Sequence, residues 1–268
     1  MSLKLTFLGT GGAFTDFREN YHTNAILELT PGKYLLIDCG LTAIQSLKEI
    51  GLGVHNIFAT AITHIHGDHV GGLDTLVWER YYTGPQGPSG ANTPILIHHD
   101  VWPGLRAFLA PLLHEWSDLT GSIRGDGMHW LTRPYVAMDN LTFRFGDKEI
   151  NFVCTTHVRS PDRNVDKPAT GLLVRDIKTD KSFYYSGDCV FDPDVGTQFP
   201  DVDVIFHDCT FGPYFPQTVH THYSQLLTLP AEVRSKMVLM HHTKVPEGVG
   251  PVADGFRAAA TRHSVWEV

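Results

Sequence analysis

Ile57-Phe58-Ala59-Thr60-Ala61-Ile62-Thr63-His64-Ile65-His66-Gly67-Asp68-His69 is the stretch on which the reading of this chain turns. Its first half is an apolar-rich run that reads as a strand. Its second half packs three imidazoles and one carboxylate into six residues, His64 to His69. Neutral imidazoles and carboxylates are the donors that Zn²⁺ and similar borderline cations take. No folding argument asks for so many coordinating groups in so short a space. A strand that stops and turns into such a cluster is read as a metal site at a strand end. The competing reading is a solvated polar turn that happens to be rich in histidine.

Several other candidate ligands sit at the ends of strand-like runs. Asp38 follows Tyr34-Leu35-Leu36-Ile37, and His157 follows the run Glu149 to Thr155. Asp188 follows Phe183-Tyr184-Tyr185-Ser186-Gly187, and His241 follows Lys236-Met237-Val238-Leu239-Met240. One histidine at a strand end is more often structural than ligating. Ionisable residues repeated at strand ends beside the His64–His69 cluster are how a fold gathers ligands at one edge.

The rest of the pattern alternates strands with helices. Strands are expected at Leu3–Leu8 and at Asn24–Leu29 with Lys33–Asp38, the last two a hairpin around Pro31-Gly32. Ile44, Leu47 and Ile50 share one face of an expected helix over Thr42–Ile50. Gly71 to Leu76 opens another helix, residues 83–94 read as a loop, and Ile95–His98 is a short strand. Residues 101–132 are aromatic-rich, with Trp102, His114, Trp116, His129 and Trp130, and read as part of an inserted cap or lid near 80–135 that could line a pocket or form a contact between copies. Strands return at 141–145, 149–155, 171–175, 182–186, 202–207 and 236–241. Helices are expected near 222–229 and over Pro251–Thr261. The expectation is one domain over 1–268, α/β (α+β), with two sheets packed face to face and helices outside.

Bulk composition narrows the partners. With 268 residues, 42% of them hydrophobic, the chain can bury a sizeable core. A net charge of −8 argues against a surface built to hold nucleic acid, which requires Lys and Arg on phosphates. Four cysteines, Cys39, Cys154, Cys189 and Cys209, lie far apart with no CxxC pair, so neither a disulfide framework nor a zinc finger is expected. No apolar run approaches the roughly 18 residues of a membrane span, and the N-terminus reads directly as a strand. A cytoplasmic protein is expected.

His64-x-His66-x-Asp68-His69, then His157, Asp188 in Ser-Gly-Asp and His241 after an apolar strand, resemble the ligand series of the metallo-β-lactamase fold over about residues 3 to 245. Thr6-Phe7-Leu8-Gly9-Thr10-Gly11-Gly12-Ala13 and Leu36-Ile37-Asp38-Cys39-Gly40 look like motifs of its ribonuclease Z and phosphodiesterase branch. Val204-Ile205-Phe206-His207-Asp208-Cys209-Thr210-Phe211 resembles that branch's His-Glu-x-Thr-Phe strand, with Asp208 in place of Glu. His222-Tyr223-Ser224 is similar, less closely, to its His-Ser-Thr segment.

The resemblance implies a four-layer αββα sandwich with two divalent metal ions at one edge. They would be Zn²⁺, with Mn²⁺ or Fe also acceptable to this N/O donor set. His64, His66 and His157 would hold one metal, Asp68, His69 and His241 the other, and Asp188 would bridge them. His242 competes with His241, which fits the family spacing better, and Asp38 would orient ligand groups without binding metal. Two cations about 3.5–4 Å apart deprotonate a bridging water, and that hydroxide would attack phosphorus with Asp68 aiming it. His222, oriented by Asp208, is the candidate acid for the leaving group, and His220 is its rival.

Gly9-Thr10-Gly11-Gly12 lacks the Lys-Ser/Thr of a P-loop and is expected to be a tight turn under the site. The expected activity is hydrolysis of a small phosphodiester such as a cyclic nucleotide. A ribonuclease Z-like tRNA 3′-end endonuclease is the first alternative. It is disfavoured by the net charge and by the 52 residues (189–240) between Asp188 and His241, too few for a long RNA-gripping arm. A lactone, thioester or β-lactam hydrolase on the same scaffold is the second, and a degenerate binding protein the third. A homodimer is compatible with the resemblance.

Overall fold

A computed structural model of the chain describes residues 3–84, 92–114, 131–139, 141–158, 167–215 and 218–268. Strands β1 (Lys4–Gly9), β2 (Asn24–Thr30), β3 (Lys33–Ile37), β4 (Ile57–Ile62), β5 (Thr93–His98) and β6 (Thr132–Ala137) lie side by side in that order. Strands β7 (Thr142–Phe145), β8 (Lys148–Val158), β9 (Lys167–Asp176), β10 (Lys181–Tyr185), β11 (Val204–Asp208), β12 (Met237–Met240) and β13 (Ala258–Ala259) form the second sheet, also in sequence order. The last strand, β14 (Val265–Glu267), returns to the first sheet and pairs antiparallel with β1.

Alternation along the strands builds the layers. Leu35 and Ile37 of β3, Ala59 and Ala61 of β4, Val204 and Phe206 of β11, and Val238 and Met240 of β12 fill the space between the sheets. Their neighbours point the other way. Leu36, Ile57 and Ile62 meet helices α1 (Ala43–Glu49), α2 (Gly67–Val70), α3 (Leu73–Thr83) and α4 (Trp102–His114) through Leu47, Val70, Leu76 and Leu105. Ile205, Met237 and Leu239 meet the short helices α5 (Val195–Gln198), α6 (Tyr223–Leu226) and α7 (Ala231–Arg234) through Val195, Leu226 and Val233. Three apolar layers between four layers of structure give the αββα sandwich expected from sequence. Strands buried on both faces read as continuous apolar runs, which is why β4, β11 and β12 stood out.

One region differs from the expected pattern. Pro251–Thr261 is not a helix. The chain turns through 251–255, with Gly255 in the left-handed region at φ +89°, and Ala258–Ala259 then pairs parallel with β12. The backbone of Arg257 and Ala260 donates to Met237 and Leu239, so a sheet edge takes bonds that a helix would have closed internally.

Within 80–135, residues 93–98 and 132–137 are strands of the first sheet, and Leu105, Leu109 and Leu113 of α4 are buried in its outer layer, with Trp102 packed against it. Residues 115–130, with Trp116, His129 and Trp130, lie outside the described residues, as do 85–91. Among the described residues no helix is long and apolar enough to cross a membrane.

The pairing directions position the site. β3–β4–β5–β6 run parallel, as do β10–β11–β12–β13. Parallel strands deliver their C-terminal ends to one edge, where open α/β sheets hold ligands. Asp38, His64 and His98 lie at the ends of β3, β4 and β5, and Asp188, Asp208 and His241 at the ends of β10, β11 and β12.

Candidate metal centre

Two side-chain clusters meet at that edge and share one carboxylate, and a third group, Asp188, Asp208, His220 and His241, overlaps them. His64, His66, His157 and Asp188 bring one donor atom each within 4.8 Å of one another, as do Asp68, His69, Asp188 and His241. Asp188 Oδ2 faces His64 Nε2 at 3.6 Å and His157 Nε2 at 3.7 Å. Its Oδ1 faces His69 Nε2 at 3.2 Å and His241 Nε2 at 3.3 Å. Asp68 Oδ2 lies 3.4 Å from His69 Nε2 and 3.3 Å from His241 Nε2.

The local backbone explains why these side chains converge. β4 ends at Ile62, and His66 starts α2 with an extended backbone (φ −70°, ψ 154°). His64 and His66 therefore project from an extended segment while Asp68 and His69 project from one helical turn. Asp38 and His241 both sit just past a strand with positive φ, at 60° and 63°. Non-glycine residues in that region are strained, and such strain gathers at functional sites. Two glycines permit the close packing. A Cβ on Gly40 would lie 2.0 Å from the Asp68 carbonyl oxygen, and one on Gly12 would lie 3.0 Å from His241 Cε1.

A set of hydrogen bonds fixes ring orientations, as partners of metal-binding histidines do. Buried Asp38 accepts from the Thr63 backbone N–H at 2.8 Å, from the Thr63 hydroxyl at 2.7 Å and from His69 Nδ1 at 2.8 Å. His69 Nε2 thereby faces the centre, 3.2 Å from Asp188 Oδ1. His157 Nδ1 donates to the Val219 carbonyl at 2.7 Å, which leaves its Nε2 aimed at His66 Nδ1, 3.0 Å away. Thr10 and Asn20 hold the loop after β12. The Thr10 hydroxyl donates to the His242 carbonyl at 3.2 Å, and Asn20 donates to the Thr243 carbonyl at 3.0 Å. The Gly-rich turn thus supports the loop carrying His241.

Electrostatics suit a cation. Burial and the neighbouring His69 hold His64 well below the usual imidazole value, and burial holds His157 down at about 4, so both favour the neutral ligand form. His69 is pulled the other way: burial opposes its charge, but Asp188 and Asp38 hold it well above the usual value. Burial would raise Asp188, yet the surrounding imidazoles hold it well below the carboxylate range.

His64 Nε2 and His69 Nε2 are also buried with no hydrogen-bond partner among the described residues. An unsatisfied buried polar atom costs about 1–3 kcal/mol. Nitrogen and carboxylate donors in this arrangement fit divalent cations such as Zn²⁺.

The neighbourhood of Asp208 differs from the expected one. Asp208 Oδ2 lies 2.9 Å from His220 Nδ1, not from His222. Its Oδ1 is 3.5 Å from His241 Nδ1, and the His220 ring stacks on His241 at 4.6 Å between centroids. Burial lowers the His220 pKa, but Asp208 and Asp188 outweigh it and raise the value to about 9. His222 instead begins α6. Its Nδ1 accepts from the Ser224 backbone N–H at 3.2 Å, and its Nε2 donates to the Gly212 carbonyl at 2.8 Å. A ring used as a helix cap is turned away from Asp208.

His241 enters the cluster, whereas His242 turns its Nε2 back to the Leu239 carbonyl at 3.3 Å and packs edge-on against Phe211. Thr63 and the Val219 carbonyl were not singled out from sequence. Thr63 had a visible signal, a hydroxyl directly before the cluster, while a backbone carbonyl from residue 219 has none. Cys189 is buried with its Sγ near His207 Nε2 and Thr221 Oγ1, both at 3.9 Å, and belongs to neither cluster.

A cavity of about 620 Å³ opens on this edge, with Gly12, Thr15, Phe211, His220, His241 and Lys244 among its walls. Phe14 stands fully exposed at its rim.

A family model described as anti-Pycsar protein Apyc1 matches residues 3–266. The anti-Pycsar protein Apyc1 of Paenibacillus harenae is 32% identical over 247 residues, 90% of this chain and 90% of the relative. Among solved structures, the chain is similar to the metallo-β-lactamase fold protein YhfI from Bacillus subtilis, with TM-score 0.72, 18% identity and 100% of each chain covered. It is also similar to the short form of human tRNase Z, with TM-score 0.67, 19% identity and 98% of each chain covered. At such identities the two structures speak for the fold alone. The chain therefore adopts the metallo-β-lactamase fold and belongs to the anti-Pycsar protein Apyc1 family.

Proposed function

We propose that the chain is a dinuclear metal-dependent phosphodiesterase acting on a small phosphodiester, a cyclic nucleotide or a molecule of that class. The observation that carries this reading is the Asp208–His220 pair set directly against the two ligand clusters. Asp208 contacts His220 at 2.9 Å and reaches His241 at 3.5 Å. A carboxylate-held imidazole beside a two-cation site suits an alkoxide leaving group, which needs a proton when the P–O bond breaks. Acyl hydrolysis at such a site has less need of it.

His64, His66 and His157 would hold one cation and Asp68, His69 and His241 the other, with Asp188 between them. Bound there, the cations would supply an acidified water and neutralise the phosphate oxygens as charge develops. Asp68 would accept a hydrogen bond from the attacking water and keep it aimed. Asp208 holds His220 by Nδ1, so Nε2 is the atom that gives its proton to the departing oxygen. Asp38 fixes the His69 ring and Val219 the His157 ring, so neither side chain reorients as substrate binds.

The cavity of about 620 Å³ is the size of small-ligand pockets. It favours a low-molecular-weight substrate over a long RNA. The test is turnover by metal-replete protein of cyclic nucleotides and bis(p-nitrophenyl) phosphate, with a lactone and nitrocefin as acyl controls. Phosphodiester turnover that exceeds the acyl substrates supports the reading, and no phosphodiester turnover refutes it.

A further inference from the structure

The edge that gathers the candidate centre continues past it to the ends of β5 and β6. β5 finishes at His98, followed by His99 and Asp100. Asp139 lies just past the end of β6, and Cys154 lies on β8 of the other sheet. His98 Nε2 lies 3.1 Å from Asp139 Oδ1 and 3.9 Å from Cys154 Sγ. One donor atom from each of these three residues falls within 4.8 Å of the others. None of them belongs to the two clusters around Asp188.

The spacing is that of a coordination shell. With Zn–N and Zn–O near 2.0–2.1 Å and Zn–S near 2.3 Å, tetrahedral ligands stand about 3.3 Å (N to O) and about 3.6 Å (N to S) apart. Both observed distances lie within about 0.4 Å of those values. Nitrogen, oxygen and sulfur donors together suit a thiophilic cation.

The surroundings complete the picture. The His98 side chain is only 2% exposed, and its Nδ1 accepts from the Asp100 backbone N–H at 3.4 Å, with the Asp100 carboxylate 3.6 Å away. His99 Nε2 is buried with no hydrogen-bond partner among the described residues and lies 3.7 Å from the same Asp139 oxygen. Asp139 is 72% exposed, which leaves an entry path.

We propose that His98, Asp139 and Cys154 form a separate site for a divalent cation of the Zn²⁺ class. Because β5 and β6 belong to one sheet and β8 to the other, the cation ties the two sheets together at their open end. Binding shifts the His98 ring from the Nε2–H tautomer, whose proton now bridges to Asp139, to the Nδ1–H tautomer facing Asp100, and the Cys154 thiol gives up its proton to solvent.

The full chain, stripped of metal by chelation and reloaded with Co²⁺, tests this. Among the described residues the Asp188 clusters contain no sulfur donor, so thiolate-to-cobalt absorption in the near ultraviolet reports the new site alone. The wild-type chain is expected to show that absorption, and Cys154→Ser to lose it together with one equivalent of bound cobalt, the remaining cobalt staying in place. Asp139→Asn keeps the thiol and should need about ten-fold more cobalt to develop the absorption. Absence of the absorption in wild type at saturating cobalt, or its persistence in Cys154→Ser, overturns the proposal. Should Cys154→Ser fail to fold, an unshifted cobalt titration of Asp139→Asn overturns it instead. Failure of the candidate centre to bind cobalt would leave the absorption and its loss in Cys154→Ser unchanged, so the two readings fail separately.

Discussion

His64 and His66 share the spacing of His220 and His222, and in each pair the second histidine starts a helix with nearly the same backbone, φ −70° and ψ 154° at His66 against φ −84° and ψ 144° at His222. Only the first pair sends both rings to one place. His66 makes no capping bond with its side chain and meets His157 Nε2 at 3.0 Å. His222 spends its ring on the Ser224 N–H and the Gly212 carbonyl, while His220 alone turns to Asp208. The same spacing and nearly the same backbone thus leave the ring's destination open. What waits opposite decides it: an imidazole and a carboxylate for His66, a free helix N–H for His222.

The comparison yields a graded series of substitutions. Asp188→Asn removes the one carboxylate shared by both clusters. It is expected to lose bound metal and to abolish phosphodiesterase turnover, beyond the roughly 10⁴-fold ceiling of a lost general acid, as read by metal analysis and single-turnover assay. His220→Ala keeps the metal and is expected to lower kcat by about 10²–10⁴-fold on substrates with alkoxide leaving groups. Asp38→Asn leaves every ligand in place but frees the His69 ring. Metal affinity should fall about 10–100-fold in a competition titration, with kcat restored at high metal.

His222→Ala is the smallest change. It should cost about 1 kcal/mol in denaturant unfolding through the lost cap and alter kcat by less than about three-fold, far below the general-acid range. A drop in kcat as large as that of His220→Ala would reverse the distinction drawn between the two histidines.

The same contrast explains what could be read from sequence. The sandwich was legible because β3, β4, β11 and β12 are buried on both faces and appear as apolar runs, and because the donors Asp38, His64, Asp188 and His241 fall directly after such runs. The convergence of His64, His66, Asp68 and His69 was legible because one strand end and one helical turn present them together.

The partner of Asp208 was not legible. It depends on how the segment 218–222 lies beside Thr210, whose backbone exchanges bonds with Thr221 and Tyr223, and no local pattern encodes that register. The final segment misled for a related reason. Its amphipathic spacing suits a helix, but the free edge of β12 captured Ala258–Ala259 as a strand. Long-range pairing overrode local preference in both places.

The central claim, a two-cation centre whose leaving-group proton comes from His220, is tested most directly by leaving-group dependence. Turnover of a cyclic nucleotide and of bis(p-nitrophenyl) phosphate would be measured for wild type, His220→Ala and His222→Ala at full metal occupancy. The prediction is that His220→Ala loses about 10²-fold or more on the cyclic nucleotide and less than about ten-fold on the nitrophenyl ester, which leaves without a proton, while His222→Ala follows wild type on both. Equal losses on the two substrates in His220→Ala, or the selective loss in His222→Ala, would contradict it.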